Sequence, residues 1–209
     1  MNEKEFLTKV IKQYHQARKP VFPNSKIRRG RSHSVSSAVE DLFALYLTDH
    51  IDCDLIYIDQ PLSIEGHKVQ IYPDIAIVKK SKITAMCDIK MDLGWKRNEL
   101  YDFCKRHAAL LAKVRGKKCK IRDGQTKEDL FYRISTTASL NIVIISDQNI
   151  SSKILNDHLI KIKPFQKLVR VFILTKGEHP NTYGITTQEL LKEILINKDV
   201  FNSLIKKLS

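Results

Sequence analysis

Residues 68–91 read KVQIYPDIAIVKKSKITAMCDIKM, and the fold follows from how this stretch is parsed. Two runs rich in Ile, Val and Tyr, Lys68–Val78 and Lys82–Met91, flank the turn-like Lys79–Ser81. A connection that short favours antiparallel neighbours. A third run, Asp54–Asp59, precedes them across the turn-like Pro61–Gly66, so a three-stranded meander is expected. Alternation sets Asp88 and Lys90 on one face of the last strand and Cys87 and Ile89 on the other. With the second and third strands paired antiparallel, Asp74 can lie beside Asp88 across the ladder.

Helical spacing surrounds the meander. Phe6, Val10, Ile11 and Tyr14 share one face of a helix over residues 3–18. Val35, Ala38, Val39, Leu42, Phe43 and Tyr46 recur at the spacing of a second buried face, preceded by the cap hydroxyls of Ser34, Ser36 and Ser37. After the meander a helix is predicted over Lys96–Val114, with Leu100, Phe103, Cys104, Ala108, Leu111 and Val114 on one side. Residues 115–138 read as a mobile insertion. Asn141–Ser146 and Val169–Thr175 are short and almost wholly apolar, as strands covered on both faces are. The helical Asn149–Ile160 between them supplies a parallel crossover. Two tail helices, Thr187–Ile196 and Val200–Leu208, are expected to cover the outer face of the sheet. The order α-βββ-α-β-α-β-αα predicts an α/β fold with a mixed sheet flanked by helices. We read it as a single domain over 1–209, with an N-terminal helix and basic arm (1–34), a core (35–175) and a helical tail (176–209).

Charge narrows the function. The chain carries 36 Lys and Arg against 23 Asp and Glu, a net charge of +13. Residues 1–35 hold +7 and residues 103–122 hold +8, so the rest of the chain is slightly acidic. Two basic segments on a near-neutral body point to a polyanion partner. Arg28, Arg29 and Arg31 lead into the second helix and suit bidentate phosphate contact. Lys113, Arg115, Lys117, Lys118 and Lys120 form either an arm over a groove or a disordered loop of the same charge. The apolar runs are too short to span a membrane, and residues 1–6 lack a secretory pattern. Cys53, Cys87, Cys104 and Cys119 include no CxxC pair, so neither a zinc ribbon nor a disulfide framework is indicated, and a reduced, cytoplasmic setting is expected. Cys87 and Cys104 fit as small core residues. The seven histidines show no metal-ligand spacing, and none is assigned as a ligand.

The chemistry lies in Asp74, Asp88 and Lys90. Two neighbouring carboxylates repel unless a cation sits between them, and an all-oxygen ligand set favours a hard ion, Mg2+ first and Mn2+ in its place. Such an ion polarises a phosphoryl oxygen and acidifies a water. Lys90 stands where it could orient that water or neutralise charge on phosphorus. Pro73-Asp74 followed by Asp88-Ile89-Lys90, on consecutive predicted strands, resembles the PD-(D/E)xK nuclease superfamily, and the predicted order of elements over residues 35–175 agrees with its restriction-endonuclease-like core. The resemblance implies a Mg2+-dependent endodeoxyribonuclease, with Asp74 and Asp88 as metal ligands. It also implies a further ligand at Glu40, although Ser37-x-x-Glu40 equally spells a capping box. Asp41 is the substitute for Glu40, and Asp92 shares the parity of Asp88 and Lys90. Trp95 reads either as a base-stacking wedge or as a turn anchor. Within the resemblance, a chain of this size suits a sequence-specific type II restriction enzyme acting as a homodimer on double-stranded DNA. Repair, recombination and mobile-element nucleases share the core, and a non-catalytic nucleic-acid-binding protein on the same fold is the alternative.

Overall fold

A computed structural model describes residues 1–68, 70–94 and 97–209. The chain runs α1 (Glu3–Ala17), α2 (Ser36–Thr48), β1 (Leu55–Ile58), β2 (Leu62–Ile64), β3 (Gln70–Ile71), β4 (Ile75–Lys79), β5 (Lys82–Lys90), α3 (Leu100–Val114), β6 (Lys118–Arg122) and β7 (Asp129–Ser146). It continues through α4 (Ser152–Ile162), a 3-10 turn (Lys163–Phe165), β8 (Val169–Gly177), α5 (Thr187–Glu193), β9 (Ile194–Ile196) and α6 (Lys198–Leu208). The result is an α/β protein with a mixed, open sheet.

The expected meander is present as β1-β4-β5, antiparallel throughout. Its tight turn works because Lys80 and Ser81 both take positive φ, at 51° and 57°, which matches the twist of a two-residue hairpin. The Lys80 N–H also donates to Asp54 Oδ2 at 2.6 Å. Beyond β5 the sheet turns parallel: β7 pairs with β5, and β8 with β7 through the α4 crossover. β7 is long enough to serve three neighbours. Its first part pairs antiparallel with β6, and β6 in turn carries β2 and β3.

Four expectations need correction. The second strand of the meander is divided, because Pro73 has no N–H to give a ladder; β3 lies before it and β4 after Asp74. The supposed turn over Pro61–Gly66 contains β2, whose Leu62 and Ile64 are buried. Residues 115–138 are not a mobile insertion but the β6–β7 hairpin and part of β7. Lys118-Cys119-Lys120-Ile121-Arg122 alternates cations with two buried apolar residues, a strand pattern that the charge count hides. Finally, the helix expected over Thr187–Ile196 stops at Glu193. Ile194–Ile196 instead pairs antiparallel with β8, an arrangement suited to its β-branched residues.

The sheet carries an apolar layer on each face. On one face Ile75, Ile77, Ala85, Cys87, Ile89, Val143 and Leu174 pack against α1, α2 and α6 through Phe6, Phe43, Tyr46 and Phe201. On the other, Ala76, Val78, Met86, Ile142 and Ile144 pack against α3 through Leu100, Cys104, Ala108 and Leu111. The β2–β3–β6 arm lays Leu62, Ile64, Ile71, Cys119 and Ile121 on that same second layer. Leu190 and Ile194 from the tail meet Leu7 and Ile11 of α1. Cys87 and Cys104 are thus small core residues, and all four cysteines are free. Among the described residues, no helix is long and apolar enough to cross a membrane.

Candidate active site

The register of the hairpin brings the central pair together. Ile75 faces Cys87 across β4 and β5, so the next position out sets Asp74 opposite Asp88. Asp74 Oδ2 accepts the Ile89 N–H at 2.5 Å, which pins the carboxylate against the end of β5. Lys90, on the same face as Asp88, is ion-paired to Asp88 Oδ1, and its Nζ lies 3.6 Å from Asp74 Oδ2. One ammonium therefore serves two carboxylates at the end of the sheet, where β5 runs out toward α3.

The electrostatics are those of crowded acids. Burial pushes the Asp74 carboxyl up to about 6, and its hydrogen bond to Asp88 and the charge there add to the rise. The Lys90 ammonium and the Ile89 N–H oppose it. For Lys90, burial works to lower the pKa, but pairing with Asp88 and Asp74 outweighs it and the ammonium is held charged. Glu40 of α2 feels the same charges. Its carboxyl is raised by burial first, then by the charges of Asp74 and Asp59, with Lys90 opposing.

The capping reading of Glu40 does not hold. The first helical residue of α2 is Ser36, the cap position is Val35, and no side chain caps the helix. Ser34 and Ser36 hydrogen-bond each other instead. Glu40 is thus not engaged as a cap, and the Asp74 carboxylate acts on it through its charge. Asp41 is exposed and counts only as a further charge on Glu40. Asp59 was not foreseen as a neighbour. Ile58 pairs with Ile75, so Asp59 emerges beside Asp74 and donates its N–H to the Asp74 carbonyl at 2.9 Å.

Asp92 does not join this group. It accepts from His179 Nε2 at 3.1 Å and from the Gly94 N–H at 2.7 Å, contacts that lower its pKa, with His179 the largest. Tyr14 packs edge-on against His179, tying α1 to the segment after β8. No sequence spacing announces that pairing, since 87 residues separate the partners. The reading of Trp95 lies outside the described residues, as does the predicted start of α3 at Lys96.

The basic segments divide. Lys26–Arg31 is exposed, and the Arg28 guanidinium donates to the carbonyls of Ser25 and Ile27 within its own loop. Arg29 and Arg31 are exposed in the same loop, which leads into α2 and hence toward Glu40. In the second segment, Lys113, Lys117 and Lys118 are exposed, and Lys120 is ion-paired to Asp129 at 3.1 Å. Arg115 is different. It donates to the carbonyls of Ala138, Thr137 and Lys167, bracing the corner between α3 and β6.

Among the described residues, no three or more His, Cys, Asp or Glu side chains are arranged as a cluster that could hold a metal ion. Asp74 and Asp88 nevertheless suit a divalent cation in their chemistry. They are two hard oxygen donors in mutual contact, one with a raised pKa, and a cation relieves that repulsion as Lys90 does now. Comparison of the chain with protein-family models, with curated proteins and with solved structures returned no match.

Proposed function

We propose that the protein is a Mg2+-dependent DNA endonuclease, and that it acts as a sequence-specific restriction enzyme of the PD-(D/E)xK type. The observation that carries this reading is the meeting of Asp74, Asp88 and Lys90 at the ends of β4 and β5. Asp74 and Asp88 would hold the ion, with Glu40 as the third carboxylate. Bound there, Mg2+ or Mn2+ supplies Lewis-acid polarisation of a phosphoryl group. Lys90 carries the remaining positive charge of the site and can position a nucleophile or neutralise the phosphate under attack. The exposed cations of the loop before α2 and of β6 supply the counter-charge for a DNA backbone. Cutting both strands of a duplex calls for two such sites, hence a homodimer.

The test is plasmid cleavage by the purified protein with Mg2+, with Mn2+ and with EDTA. Cleavage should require the divalent ion and be lost in Asp88→Ala. Robust cutting by Asp88→Ala refutes the assignment. Discrete fragments from a defined DNA mark restriction, and cutting confined to branched DNA marks a recombination enzyme. The same preparations bear on the non-catalytic alternative, which expects salt-sensitive binding and no cutting at all.

A further inference from the structure

The outward face of the β3–β2–β6–β7 arm has an unusual composition. Its inner side is the buried row Leu62, Ile64, Ile71, Cys119 and Ile121, so alternation turns the intervening residues to solvent. Cross-strand register lines them up: Gln70 faces Ser63, Ser63 faces Lys120, and Lys120 faces Phe131. On either side of Phe131 stand the pairs Lys118–Arg133 and Arg122–Asp129. Phe131 is 69% exposed, and Tyr72, hydrogen-bonded to Gln70, is 66% exposed. Ser63 and Gln70 line two adjoining clefts on this face.

A phenylalanine placed for stability alone belongs on the inner row. Here the ring stands in water among four cations; of the acids on this face Asp129 is already paired with Lys120, Asp123 lines the adjoining cleft and Glu65 stands beside Lys118, while Arg133 also donates to the Gly116 carbonyl. An apolar partner would have to desolvate those cations, and a second copy of the same face would repel it. One chemistry satisfies both features. A nucleobase offers a flat π-face to the ring, and its flanking phosphates offer charge to Lys and Arg. Bases inside a duplex are stacked on each other and present no free face, so the occupant is an unpaired stretch.

We propose that this face is a platform for unpaired nucleic acid, on which Phe131 stacks a base while Lys118, Lys120, Arg122 and Arg133 hold the phosphates. For its ligand class the inference rests on the nuclease reading. The arm is rooted at the candidate site. It leaves the sheet after Asp59 and returns at Asp74, where the Asp59 N–H meets the Asp74 carbonyl at 2.9 Å. Tyr72 is two residues from Asp74. The Tyr72 edge of the face is thus the one that adjoins the carboxylates, while Phe131 lies toward the start of β5, where Arg133 pairs with Lys82.

The experiment is equilibrium binding in EDTA, which stops cleavage, using a labelled single strand, its blunt duplex and the same duplex with an unpaired end. The single strand and the frayed duplex should bind more tightly than the blunt duplex. Phe131→Ala should weaken both by about 5- to 150-fold, the range that loss of one base stack entails. Phe131→Trp should retain binding, and its emission should fall as the strand binds. Lys118→Ala with Lys120→Ala should flatten the salt dependence by the equivalent of about two phosphates. Unchanged binding by Phe131→Ala, unresponsive emission from Phe131→Trp, or equal competition by poly-glutamate each overturns the platform. Plasmid cleavage measured in parallel keeps the two ideas apart. Asp88-dependent cutting with a silent Phe131→Ala removes only the platform. Binding that depends on Phe131, without metal-dependent cutting, removes only the nuclease.

Discussion

If Asp74 is held in a site built for a cation, removing its charge should stabilise the metal-free protein. The carboxyl is raised from 3.8 to about 6 in the folded chain. At 1.36 kcal/mol for each pH unit, keeping Asp74 ionised costs the folded state about 3 kcal/mol. The side chain is 23% exposed, so solvent screening removes only part of that cost. The sign follows from the direction of the shift. Because the folded pKa exceeds the unfolded one, the favourable contribution is complete below about pH 4 and is lost as pH rises through about 6. Asn keeps an oxygen to accept the Ile89 N–H but carries no charge. In EDTA at pH 8, Asp74→Asn should therefore be more stable than the wild type by up to about 3 kcal/mol, or about 6 to 12 °C in melting temperature for a chain of this size. At pH 4 the gap should shrink to about 0.6 kcal/mol. Added Mg2+ should raise the wild type and leave the variant where it was, closing the gap from the other side. Thermal melts followed by circular dichroism give all three comparisons. A gap that is absent at pH 8, or identical at pH 4 and pH 8, refutes the reasoning.

Three further substitutions probe separate parts of the molecule. Lys90→Met removes the ammonium shared by Asp88 and Asp74, and single-turnover cleavage should slow by roughly 10²- to 10⁴-fold; wild-type rates would discard Lys90 as a participant. Gly177 has φ +86°, and a Cβ there would sit 2.5 Å from the Glu193 carbonyl oxygen, so Gly177→Ala should lose at least about 2 kcal/mol in urea unfolding as β9 is forced from β8. Arg115→Ala should cost roughly 2 kcal/mol, because three carbonyls lose a charged donor. It should leave the salt dependence of DNA binding unaltered; a flatter salt slope would restore Arg115 to the phosphate contacts.

The candidate site was legible to the extent that it depends on local pattern. Period-2 alternation is enough to set Asp88 and Lys90 on one face, but counted from the two-residue turn alone Asp74 would fall opposite Cys87; the register shift between Ile77 and Val78 is what sets it opposite Asp88. Glu40 was ambiguous because Ser37-x-x-Glu40 satisfies a local rule for helix caps. What removes the cap is where α2 begins: Ser36 is its first residue and Val35 its cap position, so Ser37 already lies inside the helix. The β6 strand was misread for the opposite reason. Its cations dominate a charge count, while its two inward residues, Cys119 and Ile121, bury only because β2 and β7 close around them. Arg115 shows the same limit, since nothing local marks which cation in a basic run will turn inward to three carbonyls.

By itself the sequence determined the α/β class, the β1-β4-β5 meander, the parallel β7–α4–β8 unit and the shared face of Asp88 and Lys90. All of these follow from side-chain periodicity and short connections, which act over a few residues. Tertiary structure decided what depends on distant segments meeting. It brought Asp59 beside Asp74, put Glu40 within reach of their charges, and gave Asp92 to His179. It also folded the arm between β1 and β4 onto β6, leaving Phe131 exposed among cations. Such juxtapositions are set by how the elements pack on the two faces of the sheet, and no spacing along the chain encodes them.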